Sequence, residues 1–138
     1  MKDLTAKDNM TSPPNTVAPD LGVWSALAIM RDQDIRHLLV ADGDRLAGVL
    51  SNRDYRKLLL PLRPDGSVRD VDKSRVREIM TDWGQVVTVT PDTTLLDCAD
   101  LIVRRKVGCL PVLDGQGRAV GILTQKDVMA GLLGRARS

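Results

Sequence analysis

The sequence contains one short phrase twice, and this duplication limits the folds that the chain can adopt. Residues 50–54 read LSNRD and residues 123–127 read LTQKD. Three further pairs occur in the same order along the chain: NMT at 9–11 with IMT at 79–81, APD at 18–20 with TPD at 90–92, and HLLVADG at 37–43 with CLPVLDG at 109–115. Four matched pairs in one order indicate two copies of a single structural unit.

Each copy is predicted to fold in the order β-α-β-β-α. In the second copy, residues 85–90 (QVVTVT) are short and β-branched, which indicates a strand. A helix start follows, with Asp92 or Thr93 as the expected N-cap. Residues 109–113 and 119–123 predict a hairpin around a turn that is rich in Asp and Gly. A second helix follows the hairpin, so the fold class is mixed α/β.

The first copy repeats this pattern. Its predicted elements are a strand near residues 16–17, a helix from Asp20, strands at 38–41 and 46–50, and a helix from Ser51. The matching last helix of the second copy is predicted to start at Thr124. Both of these helices begin inside the repeated phrase, which therefore marks a helix start in each copy.

The size of one copy indicates that the copies depend on each other. A unit of about 60 residues buries too little surface to be comfortably stable alone, so the two copies are expected to pack together. The segment between them has two prolines, a glycine and mixed charges without an apolar period, which predicts a linker. The predicted organisation is a first motif at 1–60, a linker at 61–74, a second motif at 75–134 and a basic tail at 135–138.

The composition narrows the class of protein. Of 138 residues, 43% are hydrophobic and 28% are charged, as in a globular domain, and no apolar run approaches the ~20 residues of a membrane span. The 20 basic and 18 acidic residues are interspersed and aromatic residues make up only 2%, so no nucleic-acid partner is expected. The start of the sequence lacks the apolar stretch of a secretory signal, and Cys98 and Cys109 are predicted to be buried thiols. We expect a cytoplasmic protein without a membrane partner.

The duplicated motifs resemble the tandem CBS-domain family, named after the C-terminal region of cystathionine β-synthase. The resemblance covers residues 4–60 and 75–134 and depends on VREIMT at 76–81, on the block at 109–127 and on their first-copy counterparts. It implies two β-α-β-β-α repeats that pack through their sheets with pseudo-two-fold symmetry, and a disc-like homodimer of such pairs. It further implies a regulatory module that binds adenosine-containing ligands in clefts between the copies.

The repeated phrase has two interpretations. Ser-x-x-Asp at a helix start is typical of a capping box, in which the hydroxyl and the carboxylate bond backbone groups. A helix start also offers N–H groups and positive partial charge to a phosphate, and a carboxylate can accept hydrogen bonds from both hydroxyls of a ribose. By resemblance, Asp54 and Asp127 are ribose acceptors, and Ser51 and Thr124 contact phosphate or ribose. The residues alone leave both interpretations open.

The resemblance also implies the walls of the two clefts, because in this family each cleft borrows its base pocket from the opposite copy. The first cleft is implied to contain Ser51, Arg53 and Asp54 with Val87, Val107, Gly108 and Cys109. The second is implied to contain Thr124, Lys126 and Asp127 with Asn15, Ile35 and Arg36. His37 is expected to contact phosphate in the Asp54 cleft, which we expect to be the better nucleotide site.

Three classes of function are compatible with the sequence to different degrees. The first is a sensor of AMP, ADP or ATP that controls a separate enzyme or transporter; it needs no cofactor, and Mg²⁺ is expected only together with ATP. S-adenosylmethionine is an alternative ligand, which the charge of Arg53 disfavours because the sulfonium is positive. The second class is a dimeric adaptor with vestigial clefts. An enzyme is not expected, because the chain has a single His and no GxxxxGK[ST] motif.

A homodimer is predicted from the apolar residues on the last helix of each copy. The helix from Ser51 carries Tyr55, Leu58, Leu59 and Leu60, and the helix from Thr124 carries Val128, Met129, Leu132 and Leu133. These are more apolar side chains than one small sheet can cover, and surplus apolar surface favours a second copy.

Overall fold

A computed structural model of the chain describes residues 4–134. The predicted basic tail at 135–138 lies outside these residues. The described chain divides into two compact units. The continuous unit consists of residues 15–86, and the split unit consists of residues 4–14 and 87–134. Both units combine helices and strands, which confirms the predicted mixed α/β class.

The helices and strands are short and alternate along the chain. In chain order they are α1 (Ala6–Asn9), β1 (Thr16–Val17), α2 (Val23–Gln33), β2 (His37–Asp42), β3 (Arg45–Ser51), α3 (Val76–Ile79), β4 (Thr81–Asp82), α4 (Leu95–Arg105), β5 (Cys109–Leu113), β6 (Ala119–Thr124) and α5 (Gln125–Leu132). Residues 4–134 also include 3₁₀ helices at Asn52–Leu59, Val71–Lys73 and Trp83–Gln85. No helix in this described range has the length and apolar character needed to cross a bilayer.

The continuous unit is built on a mixed four-stranded sheet. The strand order is β1-β2-β3-β4, with β1 parallel to β2 and the other neighbours antiparallel. β2 and β3 form the predicted hairpin, and Gly43 in its turn has a φ of +63°, which glycine adopts without strain. One buried cluster joins α2, the hairpin and α3; its members are Val17, Val23, Ala26, Met30, Leu38, Val40, Leu50, Val76 and Ile79.

The split unit contains the second hairpin and two longer helices. β5 and β6 are antiparallel, and α4 and α5 pack with them around a buried core. Isolated bridges add Thr11 opposite Ile122 and Val89 opposite Val112. The buried members of the core are Ala6, Val89, Leu95, Cys98, Ile102, Leu110, Val112, Leu123 and Val128.

Each unit includes the first segment of the other copy of the repeat. Helix α1 lies at the start of the first copy but belongs to the split unit, where the Ala6 N–H donates to the Thr93 carbonyl at 2.8 Å. Helix α3 lies at the start of the second copy but belongs to the continuous unit, where the Val76 N–H donates to the Leu21 carbonyl at 2.8 Å. The compact units of the structure therefore have different boundaries from the repeats of the sequence.

Two glycines give these exchanged segments room to approach a strand. Gly48 in β3 and Gly121 in β6 occupy matching places in the two repeats. A Cβ at Gly48 would overlap the backbone carbonyl oxygen of Thr81. A Cβ at Gly121 would overlap the sulfur of Met10 and would lie 3.1 Å from the carbonyl oxygen of Thr11. A hydrogen at these two positions is therefore what the close packing requires.

The prediction of a strand at 85–90 is wrong. The segment begins as the end of a 3₁₀ helix, and within it only Val89 pairs, through a single parallel bridge to Val112. β-Branched residues favour an extended backbone, but a strand also needs a partner along its length. In this structure the neighbouring strand β5 pairs with the segment at one residue only.

Two predicted helix starts are also wrong by a few residues. Thr94, and not Asp92 or Thr93, is the N-cap of α4, and its side chain accepts a backbone hydrogen bond at 3.1 Å. The Thr93 hydroxyl instead accepts the N–H three residues earlier, at 3.0 Å. Helix α2 begins after Gly22 and not at Asp20. Neighbouring Thr and Asp residues can all serve as N-caps. The sequence therefore predicts that a helix begins in this segment, but it does not identify the first helical residue.

The predicted linker at 61–74 contains more structure than its composition indicates. Leu62 pairs with Val68 through an antiparallel bridge, and residues 71–73 form a 3₁₀ turn. Ser74 is buried, and its hydroxyl donates to a backbone carbonyl four residues earlier at 3.1 Å. The segment is therefore fixed in place as part of the continuous unit.

Candidate functional site

The first helix start of the repeated phrase lies at the end of β3. The Asp54 carboxylate accepts hydrogen bonds from the Ser51 N–H at 2.8 Å and from the Ser51 hydroxyl at 3.3 Å. Its other oxygen lies 3.3 Å from the Lys57 ammonium, and the Asp54 side chain is only 12% exposed. These contacts hold the carboxylate in one orientation. Because a carboxylate can accept about four hydrogen bonds, they leave room for a further donor.

The second helix start has matching geometry in the split unit. The Thr124 N–H donates to the Asp127 carboxylate at 2.9 Å, and the Thr124 hydroxyl accepts the Asp127 N–H at 3.2 Å. This reciprocal pair is a capping box. The contacts of a capping box are therefore present at the repeated phrase. They are compatible with a bound ligand, since capping uses only part of the hydrogen-bonding capacity of a carboxylate and a hydroxyl.

His37 lies beside the first helix start. It is the first residue of β2 and faces Ser51 in the antiparallel register of the hairpin. Burial lowers the pKa of His37 below its ordinary value of 6.5; the charge of Asp54 raises it and that of Arg36 lowers it, with burial dominant. The imidazole is therefore mainly neutral at pH 7 and offers a phosphate one N–H donor instead of a full positive charge.

The residue before each hairpin accepts a backbone hydrogen bond from the first residue of the helix that follows the hairpin. The Arg36 carbonyl accepts the Asn52 N–H at 3.0 Å, and the Gly108 carbonyl accepts the Gln125 N–H at 3.2 Å. In the split unit, Cys109 takes the place that His37 has in the continuous unit, and it is buried. The same backbone hydrogen bond therefore occurs at the repeated phrase in both units, whereas the side chains around it differ.

The predicted site residues are distributed over both units. The continuous unit contains Asn15, Ile35, Arg36, His37, Ser51, Arg53 and Asp54, and the split unit contains Val87, Val107, Gly108, Cys109, Thr124, Lys126 and Asp127. Arg53 and Lys126 are exposed, so both cations are accessible to an anion. Ile35, Val87 and Val107 pack partly buried against the core of their own unit. That each cleft combines residues of both copies stays a prediction.

Sequence reasoning missed two side chains near Asp54. Lys57 lies three residues later on the same helix, a spacing that signals a pair, and its ammonium also donates to the Ile79 carbonyl at 2.7 Å. The Tyr55 hydroxyl donates to the Val23 carbonyl; burial, followed by the charge of Asp54, raises the pKa of Tyr55 to about 12. The contact of Tyr55 with Val23 had no local signal, because these residues are far apart in the sequence.

The described residues contain no cluster of side chains placed to hold a metal ion, and one cysteine has a raised pKa. Within residues 4–134, no group of three or more His, Cys, Asp or Glu side chains is placed to hold a metal ion. Burial, and to a smaller extent the charge of Asp97, raises the pKa of Cys98 to about 11. This thiol is therefore protonated at neutral pH and is a poor nucleophile.

The chain is similar to known proteins over nearly its whole length. The sequence model of the family described as CBS domain matches residues 1–61 and 76–134. Among solved structures, CBSX2 of Arabidopsis thaliana in complex with AMP has 28% sequence identity and a TM-score of 0.76, and the alignment covers 95% of this chain and 97% of that one. The CBS domain pair of MJ0100, in complex with 5'-methylthioadenosine and S-adenosyl-L-methionine, has 27% identity, a TM-score of 0.77 and the same coverage.

Similarity also extends to part of a longer enzyme. Inosine-5'-monophosphate dehydrogenase of Aquifex aeolicus is 30% identical over 125 residues, which is 90% of this chain and 24% of that protein. The chain spans less than half of the length of the first curated relatives that it matches. The likeness to the dehydrogenase therefore concerns about a quarter of that enzyme.

Proposed function

Because the chain belongs to the CBS domain family, we propose that it is a regulatory module that binds AMP, ADP or ATP and controls a separate enzyme or transporter. The observation that carries this proposal is the pair of matching helix starts, each with an oriented Asp carboxylate beside a Ser or Thr hydroxyl. CBSX2, a similar protein, has been solved in complex with AMP. A cytoplasmic location, a non-catalytic role and Mg²⁺ accompanying ATP are further parts of the proposal.

In this proposal the two helix starts bind ribose and phosphate. Asp54 and Asp127 accept hydrogen bonds from the ribose hydroxyls, because two oxygens of one carboxylate can meet two neighbouring donors. The N-cap hydroxyls contact ribose or phosphate. Arg53 and His37 contact phosphate in the continuous unit, and Lys126 takes the role of Arg53 in the split unit without its planar fork.

The adenine is proposed to contact residues that flank the strands. Those in the continuous unit are Asn15, Ile35 and Arg36, and those in the split unit are Val87, Val107, Gly108 and Cys109. The partly buried aliphatic side chains among them offer apolar contacts to a flat base. Gly108 has no side chain, so a base can approach its backbone closely.

S-adenosylmethionine is a second candidate ligand. The CBS pair of MJ0100 was solved with this molecule and with 5'-methylthioadenosine, and both share the adenosine part with AMP. The exposed Arg53 guanidinium follows the N-cap serine by two residues and would face whatever extends from the ribose. A positive side chain favours a phosphate there over a sulfonium, which supports a nucleotide as the ligand.

Adenine nucleotides are expected to raise the melting temperature of the purified protein, because a ligand that binds only the folded state stabilises it. At a ligand concentration of 100 times Kd the gain is about 2.7 kcal/mol. AMP, ADP, ATP with and without Mg²⁺, and S-adenosylmethionine are compared at equal ionic strength. UMP is the control, since it keeps the ribose phosphate and changes the base. If every adenosine ligand leaves the melting temperature unchanged, the dimeric adaptor with vestigial clefts is the better description.

We further propose that the protein is a homodimer. Helix α5 and its C-cap leave Met129 and Leu133 exposed, at 61% and 66%, while Val128 of the same helix is buried. The end of the 3₁₀ helix in the continuous unit likewise leaves Leu59 and Leu60 exposed. Helix α5 thus buries one side in its own unit and keeps a second apolar side in solvent, and the 3₁₀ helix packs Tyr55 and Leu58 partly buried against the core of the continuous unit while its end stays exposed. A second copy that covers this side removes it from water.

Light scattering at micromolar concentration is expected to give twice the chain mass of 15.1 kDa. The double substitution of Met129 and Leu133 by lysine is expected to give monomers, because the charges would be desolvated in the interface. Val68→Lys is the matched control, since Val68 is an exposed apolar residue of the linker. A monomeric wild-type chain, or a double variant that stays dimeric, would refute this proposal.

A further inference from the structure

A pocket of about 230 Å³ lies in the continuous unit, where the 3₁₀ helix Asn52–Leu59 leads into the linker. Its lining includes Lys57, Leu60, Leu62, Arg63, Arg69 and Glu78. None of the residues assigned to the adenosine ligand is among those that line it. The pocket is therefore a separate feature of the unit, with its own chemistry.

Most of the charges in this pocket already have partners. Glu78 accepts hydrogen bonds from Arg63 Nε at 2.7 Å and from the Arg75 N–H at 2.8 Å. Burial would raise the pKa of Glu78, but these hydrogen bonds outweigh it and hold the pKa below its ordinary value, so the carboxylate is ionised. Lys57 is paired with Asp54. The remaining positive charge of the lining belongs to Arg69.

Arg69 is buried with unused hydrogen-bond donors. Its side chain is only 4% exposed, and no acceptor among residues 4–134 reaches its Nε or Nη1, although both atoms are buried. The Glu78 carboxylate lies 4.0 Å from Nη1, which is too far for a hydrogen bond. A buried polar group without a partner is destabilising, and more so when it is charged. Because Arg69 also lines the pocket, an acceptor that binds beside its side chain would satisfy these donors.

The backbone around the pocket holds Arg69 in place without help from its side chain. The Arg69 N–H donates to the Pro61 carbonyl at 2.9 Å, and the Arg63 N–H donates to the Ser67 carbonyl at 2.9 Å. The bridge between Leu62 and Val68 closes the same turn. The backbone that carries Arg69 is thus ordered without a ligand, so a ligand does not have to order the linker on binding.

We propose that this pocket binds a small oxyanion, a phosphate or a short carboxylate, through the Arg69 guanidinium. The planar fork of an arginine matches two oxygens of either group. The volume is below the roughly 300–1,000 Å³ of pockets for larger organic ligands, so a compact anion fits and a nucleotide does not. Leu60 and Leu62 supply an apolar wall for a short hydrocarbon part. This proposal does not depend on the adenosine site.

The test follows the Nε–H resonance of Arg69 by ¹H–¹⁵N NMR on the full chain. Sodium phosphate, acetate and propionate are added separately at constant ionic strength, with chloride as the balancing anion. A saturable shift with phosphate or with a carboxylate is expected, and the stronger of the two identifies the class of ligand. In Arg69→Gln, calorimetry with the same anion is expected to show affinity that is weaker by about tenfold or more, the effect of losing a charged donor.

Arg77→Gln is the matched control, because Arg77 is an exposed arginine of the same unit that is paired with Asp20 at the surface. This variant is expected to bind the anion like the wild type. Unchanged affinity in Arg69→Gln, or an Arg69 resonance in the wild type that moves with neither class of anion, would overturn the proposal. The wild-type resonance decides the question even if Arg69→Gln does not fold. Because no adenosine ligand is present, the result is independent of the nucleotide experiments.

Discussion

Replacement of Asp54 by alanine is expected to weaken AMP binding by roughly 10- to 150-fold. Hydrogen bonds to a charged group contribute about 1.5–3 kcal/mol, and each 1.4 kcal/mol corresponds to a tenfold change in affinity. The carboxylate is oriented by Ser51 and by Lys57, so its removal deletes an acceptor that is fixed before the ligand arrives. Calorimetric titration of the wild type and the variant with AMP measures the effect.

The structural role of Asp54 has to be measured separately from its role in binding. Loss of a capping interaction costs about 0.5–2 kcal/mol of stability, and Lys57 would also lose its ion-pair partner. Urea unfolding of the ligand-free variant gives this contribution. Binding is then measured at a temperature where both proteins are fully folded, so a weaker affinity cannot come from a larger unfolded fraction.

Asp127→Ala is the matched control, because it removes the same capping contact from the split unit. We expect it to affect the tight binding event much less, since the continuous unit supplies Arg53 and His37 whereas the split unit supplies Lys126 and a buried Cys109. If Asp127→Ala abolishes tight binding and Asp54→Ala does not, the order of the two sites is reversed. If neither variant differs from the wild type, the repeated phrase has only its capping role.

The elements that were predicted correctly are those whose conformation is determined by residues adjacent in the sequence. The first hairpin was predicted from two short apolar strands around an Asp-Gly turn, and Gly43 in that turn does have a positive φ. The helix starts after Ser51 and Thr124 were predicted from a hydroxyl residue and a carboxylate three residues later. The Asp54 carboxylate accepts a hydrogen bond from the Ser51 hydroxyl, and the Asp127 carboxylate accepts one from the Thr124 N–H. In both cases a few adjacent residues determine the backbone conformation.

The features that were missed depend on residues that are distant in the sequence. The exchange of α1 and α3 between the units depends on contacts such as that of Val76 with Leu21, which the repeat pattern does not show. The predicted strand at 85–90 is wrong because the fold pairs this segment at Val89 alone, through one bridge to Val112 of β5. A periodic or β-branched pattern describes what a segment favours locally, and it does not reveal which partner the fold provides.

In the candidate sites too, the residues with a local sequence signal were predicted and the one that depends on distant contacts was not. Asp54 and Asp127 were predicted as oriented carboxylates, because the capping spacing and the family resemblance both point to them. Lys57 could have been predicted from its spacing to Asp54. Arg69 could not, because its segment has the composition of a linker, and only the folded turn shows that Nε and Nη1 of its side chain are buried without a hydrogen-bond acceptor in the described chain.

Substitution of Gly48 by alanine is expected to destabilise the protein by about 1–3 kcal/mol, the range for forcing extra volume into a packed interior. The new Cβ would overlap the carbonyl oxygen of Thr81, which is a backbone atom of β4 and is held by the pairing of β4 with β3. The sulfur of Met80 lies 2.9 Å from the same position. To make room, the strand would have to move away and lose its hydrogen bonds. Urea unfolding followed by circular dichroism measures the loss.

Gly121→Ala tests whether the backbone clash is the cause. At Gly121 the first overlap is with the flexible side chain of Met10, and the Thr11 carbonyl oxygen is 3.1 Å away. Rotation of a methionine side chain relieves most of this overlap, so Gly121→Ala is expected to destabilise less than Gly48→Ala. Gly115→Ala has open space around the new methyl group and is expected to be close to neutral. If Gly48→Ala and Gly115→Ala lower the free energy of unfolding equally, the close approach of β4 to Gly48 does not depend on the absence of a side chain there.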